Sequence, residues 1–299
     1  RARGRSGLTQ PLAGAAPPAA MFVGEMIRER PRAAALYVLF FIGVVTIWKT
    51  LQAKFTGQYD YILTLSAALQ SLAFGLLVFD TKSAVAEGLS EKTLWAFFIA
   101  HVTRISTTFW GEGYIPEDNT SDVYLYQLLE LAGVGFLGYE LLKLNTVRNI
   151  HDVGQGIERW SMLGGITFVA LILAWKTKST GHGDYFADLS WMFSIWMEGF
   201  ALGPQVYLLV SKGLVDESGM HFAGFTLAAS LAFAFFWLRN SRDHYAEFEN
   251  YGEHGFFWAI GIASLIRVAL CGTYFVLFLK NRGKGARSSE YEMCPHDEL

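Results

Sequence analysis

Eight apolar stretches, separated by short polar connections, make up most of the chain. They lie at residues 33–50, 61–79, 93–110, 123–144, 160–175, 185–211, 219–238 and 256–279. A helix needs about 20 mostly apolar residues to cross the hydrocarbon core of a bilayer. The pattern therefore predicts an all-α membrane protein with about eight transmembrane helices. The short connections leave no room for a separate soluble domain.

The composition agrees with a polytopic membrane protein. Of the 299 residues, 52% are hydrophobic and 17% are charged, whereas soluble domains carry about 25% charged residues. The formal net charge of −3 excludes a large basic surface for nucleic acid. Two cysteines, Cys271 and Cys294, do not make a disulfide scaffold, and no His/Cys set has the spacing of a metal site. We therefore predict no enzyme, no cofactor and no metal.

Lys and Arg residues near the ends of the stretches predict the orientation of the helices, because cytosolic connections are enriched in them. With both termini in the cytosol, 13 of these residues face the cytosol and 6 face the opposite side. The connection at 111–122 contains neither Lys nor Arg, and it holds a glycosylation sequon at Asn119. We therefore expect cytosolic termini, with this connection on the other face.

Charged residues inside the apolar stretches mark candidate functional positions, because each costs about 2.5–3.5 kcal/mol at the bilayer centre. They are His101, Arg104, Glu130, Asp188, Glu198 and Arg267. Opposite charges on separate helices predict pairing across the bundle or around a polar cavity. Structural pairing is the preferred interpretation for Glu130 and Arg267. A hydrogen bond within the core is the preferred interpretation for His101.

The sixth stretch carries a stripe of carboxylate, indole and carboxylate. Asp188 and Trp191 are three residues apart, and Trp191 and Glu198 are seven apart, so they share one helix face. Such a stripe can hold a cation through its charge and the indole ring, although an ordinary aromatic core stripe has the same spacing. Pro204, which precedes Gln205, is expected to break the helical hydrogen-bond ladder. The freed carbonyl groups then need a cavity or partners inside the bundle.

Motifs in this part of the chain resemble those of the endoplasmic reticulum lumen protein-retaining receptors, which bind KDEL or HDEL signals. The matching motifs are SWMFSIWME at 190–198, PQ at 204–205, VSK at 210–212, HF at 221–222 and GLSEK at 88–92. The resemblance covers about 60–282. The additional apolar segment at 33–50 looks like that of a longer, divergent receptor-like branch of the family.

The resemblance implies two triple-helix bundles related by a pseudo-twofold axis, similar to PQ-loop and SWEET transporters. The second to fourth stretches form one bundle, the fifth is a linker helix, and the sixth to eighth form the other bundle. An extra helix at 33–50 then precedes a receptor-like seven-helix domain at 61–279, and a cytosolic tail follows at 280–299. Residues 1–32 are expected to form a disordered or leader-like segment.

The resemblance also implies roles for individual residues. Arg104 stands where the family has the arginine that binds the terminal carboxylate of the signal peptide. Asp188 and Trp191 would hold the basic residue at the fourth position from the end of the peptide. Glu198 would belong to a proton-sensitive core network, and a later arginine of the family aligns with either Arg239 or Asn240.

This chain departs from the family pattern at several positions. Residues 61–79 contain neither the arginine nor the histidine of the first receptor helix, and Gln70 lies near the histidine position. Thr107 stands where the family has a second acid. Loss of one buried charge partner typically costs about 2–5 kcal/mol, so these changes predict weaker binding of KDEL-type peptides. His101, three residues from Arg104, is a candidate substitute proton switch, and plain packing explains the same spacing.

We therefore expect a receptor-like protein of endoplasmic reticulum and Golgi membranes. It would bind C-terminal KDEL- or HDEL-type peptides of lumenal proteins in a lumen-facing cavity and return them to the endoplasmic reticulum. The alternatives are a small-solute transporter of the PQ-loop type and an orphan receptor-like protein with a degenerate site. A peptide receptor needs a positively charged pocket, whereas a sugar carrier needs mostly neutral polar groups.

The C-terminal tail carries two further signals. The basic segment KNRGKGAR at 280–287 is a candidate for binding a retrograde vesicle coat, and an ordinary positive-inside anchor has the same composition. The last four residues, 296–299, read HDEL, which is itself an address for retention in the endoplasmic reticulum. With eight spans, a cytosolic tail would hide this address from a lumenal receptor.

Overall fold

The computed structural model describes residues 31–52, 60–80, 89–110, 120–148, 160–178, 185–212, 219–243 and 254–292. Nine helices occupy these ranges: α1 (Pro31–Gln52), α2 (Asp60–Asp80), α3 (Glu91–Trp110), α4 (Thr120–Arg148), α5 (Trp160–Thr177), α6 (Tyr185–Phe200), α7 (Gly203–Lys212), α8 (Gly219–Asp243) and α9 (His254–Glu292). The described ranges contain no strand. The prediction of an all-α protein is confirmed.

Four helices among the described residues are long and apolar enough to cross a membrane by length and composition alone. Their apolar segments are Tyr61–Phe79, Trp160–Thr177, His221–Arg239 and Gly255–Lys280. Two other long helices, α3 and α4, contain buried charged side chains, which lower their hydropathy. The last helix continues to Glu292, so part of the predicted tail is helical.

Six helices form a closed ring. Around this ring, α2 packs against α4, α4 against α3, α3 against α6, α6 against α9, α9 against α8, and α8 against α2. In chain order, the ring consists of two groups of three helices: α2, α3 and α4, followed by α6, α8 and α9. In each group the last helix lies between the other two, namely α4 between α2 and α3, and α9 between α6 and α8. The first helix of each group also meets the second helix of the other group. This equivalence is the predicted pseudo-twofold arrangement of two triple-helix bundles.

Of the other three helices, α7 follows α6 and packs against α9 and α3, whereas α5 and α1 lie outside the ring. The fifth helix, α5, packs mainly against α6 and also touches α3, so it borders both bundles. The first helix, α1, packs against α2, and it also reaches α8. The hydroxyl group of Tyr37 lies 2.7 Å from Nδ1 of His221, and the ring centroids of Phe40 and Phe225 are 6.4 Å apart. Consequently α1 covers the seam between α2 and α8.

Aromatic side chains fill the ring on one side of its centre. Phe74, Phe97, Phe222 and Tyr274 come from four different helices, and each is at most 2% exposed. The centroids of Phe74 and Phe97 are 5.4 Å apart, and those of Phe97 and Phe222 are 6.2 Å apart with nearly perpendicular rings. Edge-to-face pairs of this kind are favourable beyond the area that they bury. They therefore hold the two bundles together.

Two glycines allow neighbouring helices to approach closely. A Cβ atom at Gly199 would lie 3.2 Å from the backbone oxygen of Ala263, so α6 and α9 meet at backbone distance there. A Cβ atom at Gly133 would lie 3.2 Å from Oγ of Ser71, between α4 and α2. Small residues serve this purpose in membrane bundles generally.

The sixth span is interrupted. The helix α6 ends at Phe200, a two-residue turn follows, and α7 begins at Gly203, one residue before Pro204. Proline lacks a backbone N–H group, so it cannot continue the ladder of helical hydrogen bonds. The next residue, Gln205, connects this break to α3. Its Oε1 accepts a hydrogen bond of 2.6 Å from the backbone N–H of Ser90, beside the start of α3.

Candidate ligand-binding site

Four charged side chains and one histidine meet inside the ring. This central cluster comprises His101, Arg104, Glu130, Glu198 and Arg267, and each residue is at most 4% exposed. The residues come from α3, α4, α6 and α9. Burial of charges is costly unless they are paired. With a neutral histidine, the two arginines and two glutamates sum to zero, so the central cluster neutralises itself.

Arg104 is bonded on three sides. Its Nη1 donates to Oε1 of Glu130 at 3.2 Å, its Nη2 donates to Oε2 of Glu198, and its Nε lies 3.4 Å from Oγ of Ser194. Glu130 lies on α4 of the same bundle, whereas Glu198 and Ser194 lie on α6 of the other bundle. The guanidinium group therefore ties both bundles together.

Arg267 binds the other oxygen of the Glu198 carboxylate. Its Nη2 lies 2.7 Å from Oε1 of Glu198, and it also donates to Oε1 of Gln70 at 3.1 Å. Gln70 lies on α2, so this contact also crosses between the bundles. The guanidinium carbons of Arg104 and Arg267 lie 5.9 and 5.2 Å from the ring centroid of Phe233.

His101 lies between the two carboxylates. Its Nδ1 is 2.5 Å from Oε2 of Glu130, and its Nε2 is 3.8 Å from Oε1 of Glu198. Within the described residues, Nε2 has no hydrogen-bond partner. Histidine is the side chain that commonly changes charge between about pH 5 and 8. Protonation here would add one positive charge to a cluster that is otherwise neutral.

A pocket lies beside the central cluster, toward the end of the ring where α3 ends and α4 begins. The pocket is lined by Leu63, Arg104, Thr108, Tyr126, Trp191, Ile195, Phe233 and Trp237, and the end of the ring where it lies is called the pocket end. Arg104 is the one charged residue of this lining, and most of the others are apolar or aromatic. The pocket therefore offers a cation at its inner end and aromatic walls around it.

The indole ring of Trp191 belongs to an aromatic wall. It stacks on Phe256 with centroids 5.7 Å apart, and it meets the ring of Trp237 at 5.4 Å. Nε1 of Trp237 is buried and has no hydrogen-bond partner in the part of the chain that the structure describes. The structure thus brings the predicted residues Arg104 and Trp191 to one pocket.

Other predicted residues lie close by without lining the pocket. Asp188 is buried one turn before Trp191, nearer the pocket end of α6. Glu198 lies in the central cluster beneath the pocket, bonded to both arginines. Arg239 is half-buried on α8, two residues beyond Trp237.

Sequence reasoning missed several lining residues, namely Tyr126, Phe233 and Trp237. The spacing of four between Phe233 and Trp237 places them on one helix face, and this was the available signal. It is weak, because an aromatic residue in a membrane helix can equally face lipid, core or cavity.

Three predicted features lie outside the described residues: the HDEL sequence at 296–299, the sequon at Asn119, and the leader-like segment through residue 30. The same holds for the side chains of the basic tail from residue 281 onward. Their expected properties remain predictions.

Fold and site together define a polytopic membrane protein with an arginine-lined pocket between two equivalent helix bundles. The family model of the ER lumen protein retaining receptor matches residues 85–240, just over half of the chain. The chain belongs to this family, which is a family of endoplasmic reticulum and Golgi membrane receptors and not of enzymes. The matched segment contains His101, Arg104, Glu130, Trp191 and Glu198. A search of curated proteins finds no match to this chain.

Proposed function

We propose that this protein is a receptor of the early secretory pathway that binds the C-terminal carboxylate of retention-signal peptides beside Arg104. One observation carries the proposal: Arg104 lines the pocket while the central cluster fixes the position of its guanidinium group. An arginine binds a carboxylate through charge-assisted and often bidentate hydrogen bonds. Membership in the receptor family supports a peptide as the ligand.

The pocket lining favours an anionic peptide end over a neutral sugar. Arg104 is the charged lining residue, and Thr108 and Tyr126 are the neutral residues with hydroxyl groups. A sugar requires many hydrogen-bonding groups, because each of its hydroxyl groups loses water on binding. The lining supports a receptor over a solute transporter of the PQ-loop type.

Trp191 and Asp188, which lie nearer the pocket end, can bind the basic residue of the signal peptide. In an extended peptide, the first and fourth residues lie about 10 Å apart, so a carboxylate held at Arg104 directs the fourth residue from the end outward. Trp191 presents its indole ring there, which attracts cations, and Asp188 follows one turn farther out. In this proposal, Arg239 supplies a second cation for the acidic side chains of the signal.

His101 is proposed as the proton switch, with Glu198 in the same proton-sensitive network. A ligand carboxylate adds a negative charge beside a buried cluster whose net charge is zero, and a proton on His101 restores neutrality. Because binding and protonation favour each other, ligand affinity should rise as the pH falls. The receptor would then bind in the mildly acidic Golgi and release its ligand in the neutral endoplasmic reticulum.

The proposal includes an orientation. The pocket end faces the organelle lumen, where retention signals occur, and both termini are cytosolic. The excess of Lys and Arg at the opposite end of the helices supports this arrangement. The basic tail at 280–287 then lies in the cytosol, where a retrograde vesicle coat can bind it.

A titration of the purified full-length protein tests the proposal. Peptides that end in HDEL or KDEL and the same peptides with amidated C-termini are added at about pH 5.5 and 7.4. We expect the HDEL carboxylate to bind at least about tenfold more tightly than its amide, since the amide removes a charge-assisted contact. Equal affinity for the two peptides would remove the proposed role of Arg104.

The variant Arg104→Gln should lose this discrimination. Its Kd for the carboxylate peptide is expected to approach its Kd for the amide, while the Kd for the amide changes little. Arg242→Gln is the matched control, because Arg242 is an exposed arginine on α8. Preserved discrimination in Arg104→Gln would contradict the assignment.

A further inference from the structure

The Glu198 carboxylate is shared between two arginines that differ in their access to the pocket. One oxygen binds Arg104, which lines the pocket, and the other binds Arg267 at 2.7 Å, which does not. Both arginines lie against the same aromatic ring, that of Phe233. Besides this ion pair, Arg267 donates a hydrogen bond to a neutral group, namely Oε1 of Gln70.

Arg104 cannot give its full charge to a ligand unless it loosens its hold on Glu130 or Glu198. A carboxylate that loses its cation inside a bundle is strongly destabilised. Glu130 keeps His101 as a partner at 2.5 Å, and Glu198 keeps Arg267 at 2.7 Å. Each glutamate therefore has a second partner that remains when Arg104 turns toward the pocket.

We infer that Arg267 is a positioning residue of the carboxylate site. It keeps the Glu198 carboxylate in an ion pair while Arg104 binds the ligand. The inference rests on the proposed function. The contact of Arg267 with Gln70 places this positive charge against α2, whose apolar segment 61–79 contains no charged residue.

The net charge of the central cluster distinguishes a charge-based role of Arg267 from a role in packing alone. With neutral His101, the central cluster of the wild type has zero net charge, and a bound carboxylate brings it to −1. In Arg267→Gln the cluster begins at −1 and reaches −2 with ligand. In the double variant Arg267→Gln/Glu198→Gln it begins at zero again, and the amide oxygen introduced on α6 can still accept a hydrogen bond from Arg104. A charge-based role therefore predicts rescue by the second substitution.

The test compares the ratio of Kd for amidated HDEL peptide to Kd for HDEL carboxylate in the full-length protein. The ratio should fall about tenfold or more in Arg267→Gln, remain near the wild-type value in Arg267→Lys, and return to within about threefold of it in the double variant. Because the ratio compares two ligands of one protein sample, partial unfolding does not change it. If Arg267→Gln does not fold, the comparison rests on the other two variants.

The outcomes separate the inference from the proposed function. A wild-type ratio near one overturns the proposed function and the inference with it. A high wild-type ratio that Arg267→Gln retains overturns the inference alone. A double variant whose ratio stays far below that of the wild type also overturns it, because a purely structural arginine would not be rescued by removing its partner.

Discussion

Arg104 contacts two carboxylates and still lines the pocket, so one guanidinium group belongs to both an ion-pair network and a ligand site. A ligand has to compete with Glu130 and Glu198 for this group. A full negative charge can compete, whereas an amide offers a dipole and no charge. At the scale of single residues, ligand selection therefore depends on buried partners that the ligand never contacts.

Substitution of His101 tests the proposed proton switch. In the wild type, affinity for the HDEL carboxylate should increase about tenfold between pH 7.4 and 5.5, since uptake of one proton offsets the ligand charge. His101→Gln can still hydrogen-bond to Glu130 but cannot accept that proton, so its Kd should change less than about threefold. Titration of both proteins at the two pH values provides the measurement.

The control for this experiment is His221→Gln. His221 is a partly buried histidine on α8 that contacts Tyr37 of α1 and does not belong to the central cluster. It should keep the pH dependence of the wild type. A His101→Gln protein that keeps the full dependence would contradict the proposed switch.

The charged residues of the site could be found from the sequence, but their pairing could not. Each ionisable group in an apolar run needs a buried partner, and this argument selected all five members of the central cluster. The helix faces that turn toward one another decide which partner it receives. The sequence did not indicate that Glu198 would bind Arg104 and Arg267 together.

At the scale of helices, apolar runs of about 20 residues predicted where the spans lie, because this length is set by the bilayer. The ends of the helices were less well predicted. The last helix continues to Glu292 instead of ending near 279, since polar residues can extend a helix once it has formed. The interruption before Pro204 was predictable, because proline cannot donate a backbone hydrogen bond.

The docking of α1 offers a prediction about stability. Tyr37→Phe removes the hydroxyl group through which α1 contacts His221 on α8. A hydrogen bond of this kind contributes about 0.5–1.5 kcal/mol, so thermal unfolding of the purified protein should begin a few degrees lower. Phe41→Leu serves as the control, because Phe41 is 71% exposed on α1. An unchanged unfolding temperature in Tyr37→Phe would show that this contact does not stabilise α1.

At the scale of the whole molecule, the ring of six helices followed from the resemblance to a receptor family and not from helical periodicity. Interior and lipid-facing surfaces of a membrane helix are both apolar, so the sequence pattern does not reveal which helices are neighbours. The central cluster joins the two bundles through Arg104 with Glu198 and through Arg267 with Gln70. Rearrangement of these contacts by a ligand would alter both connections together.

Photo-crosslinking tests the central claim most directly, namely that the pocket beside Arg104 receives the peptide carboxylate. An HDEL peptide with a photoreactive leucine analogue at its last position is added to microsomes that contain the full-length protein, either sealed or permeabilised. Mass spectrometry then identifies the labelled segments. We predict labelling of the pocket-lining parts of α3, α6 or α8, only after permeabilisation, and competition by free HDEL carboxylate but not by its amide. Labelling elsewhere, or equal competition by the amide, would contradict the account.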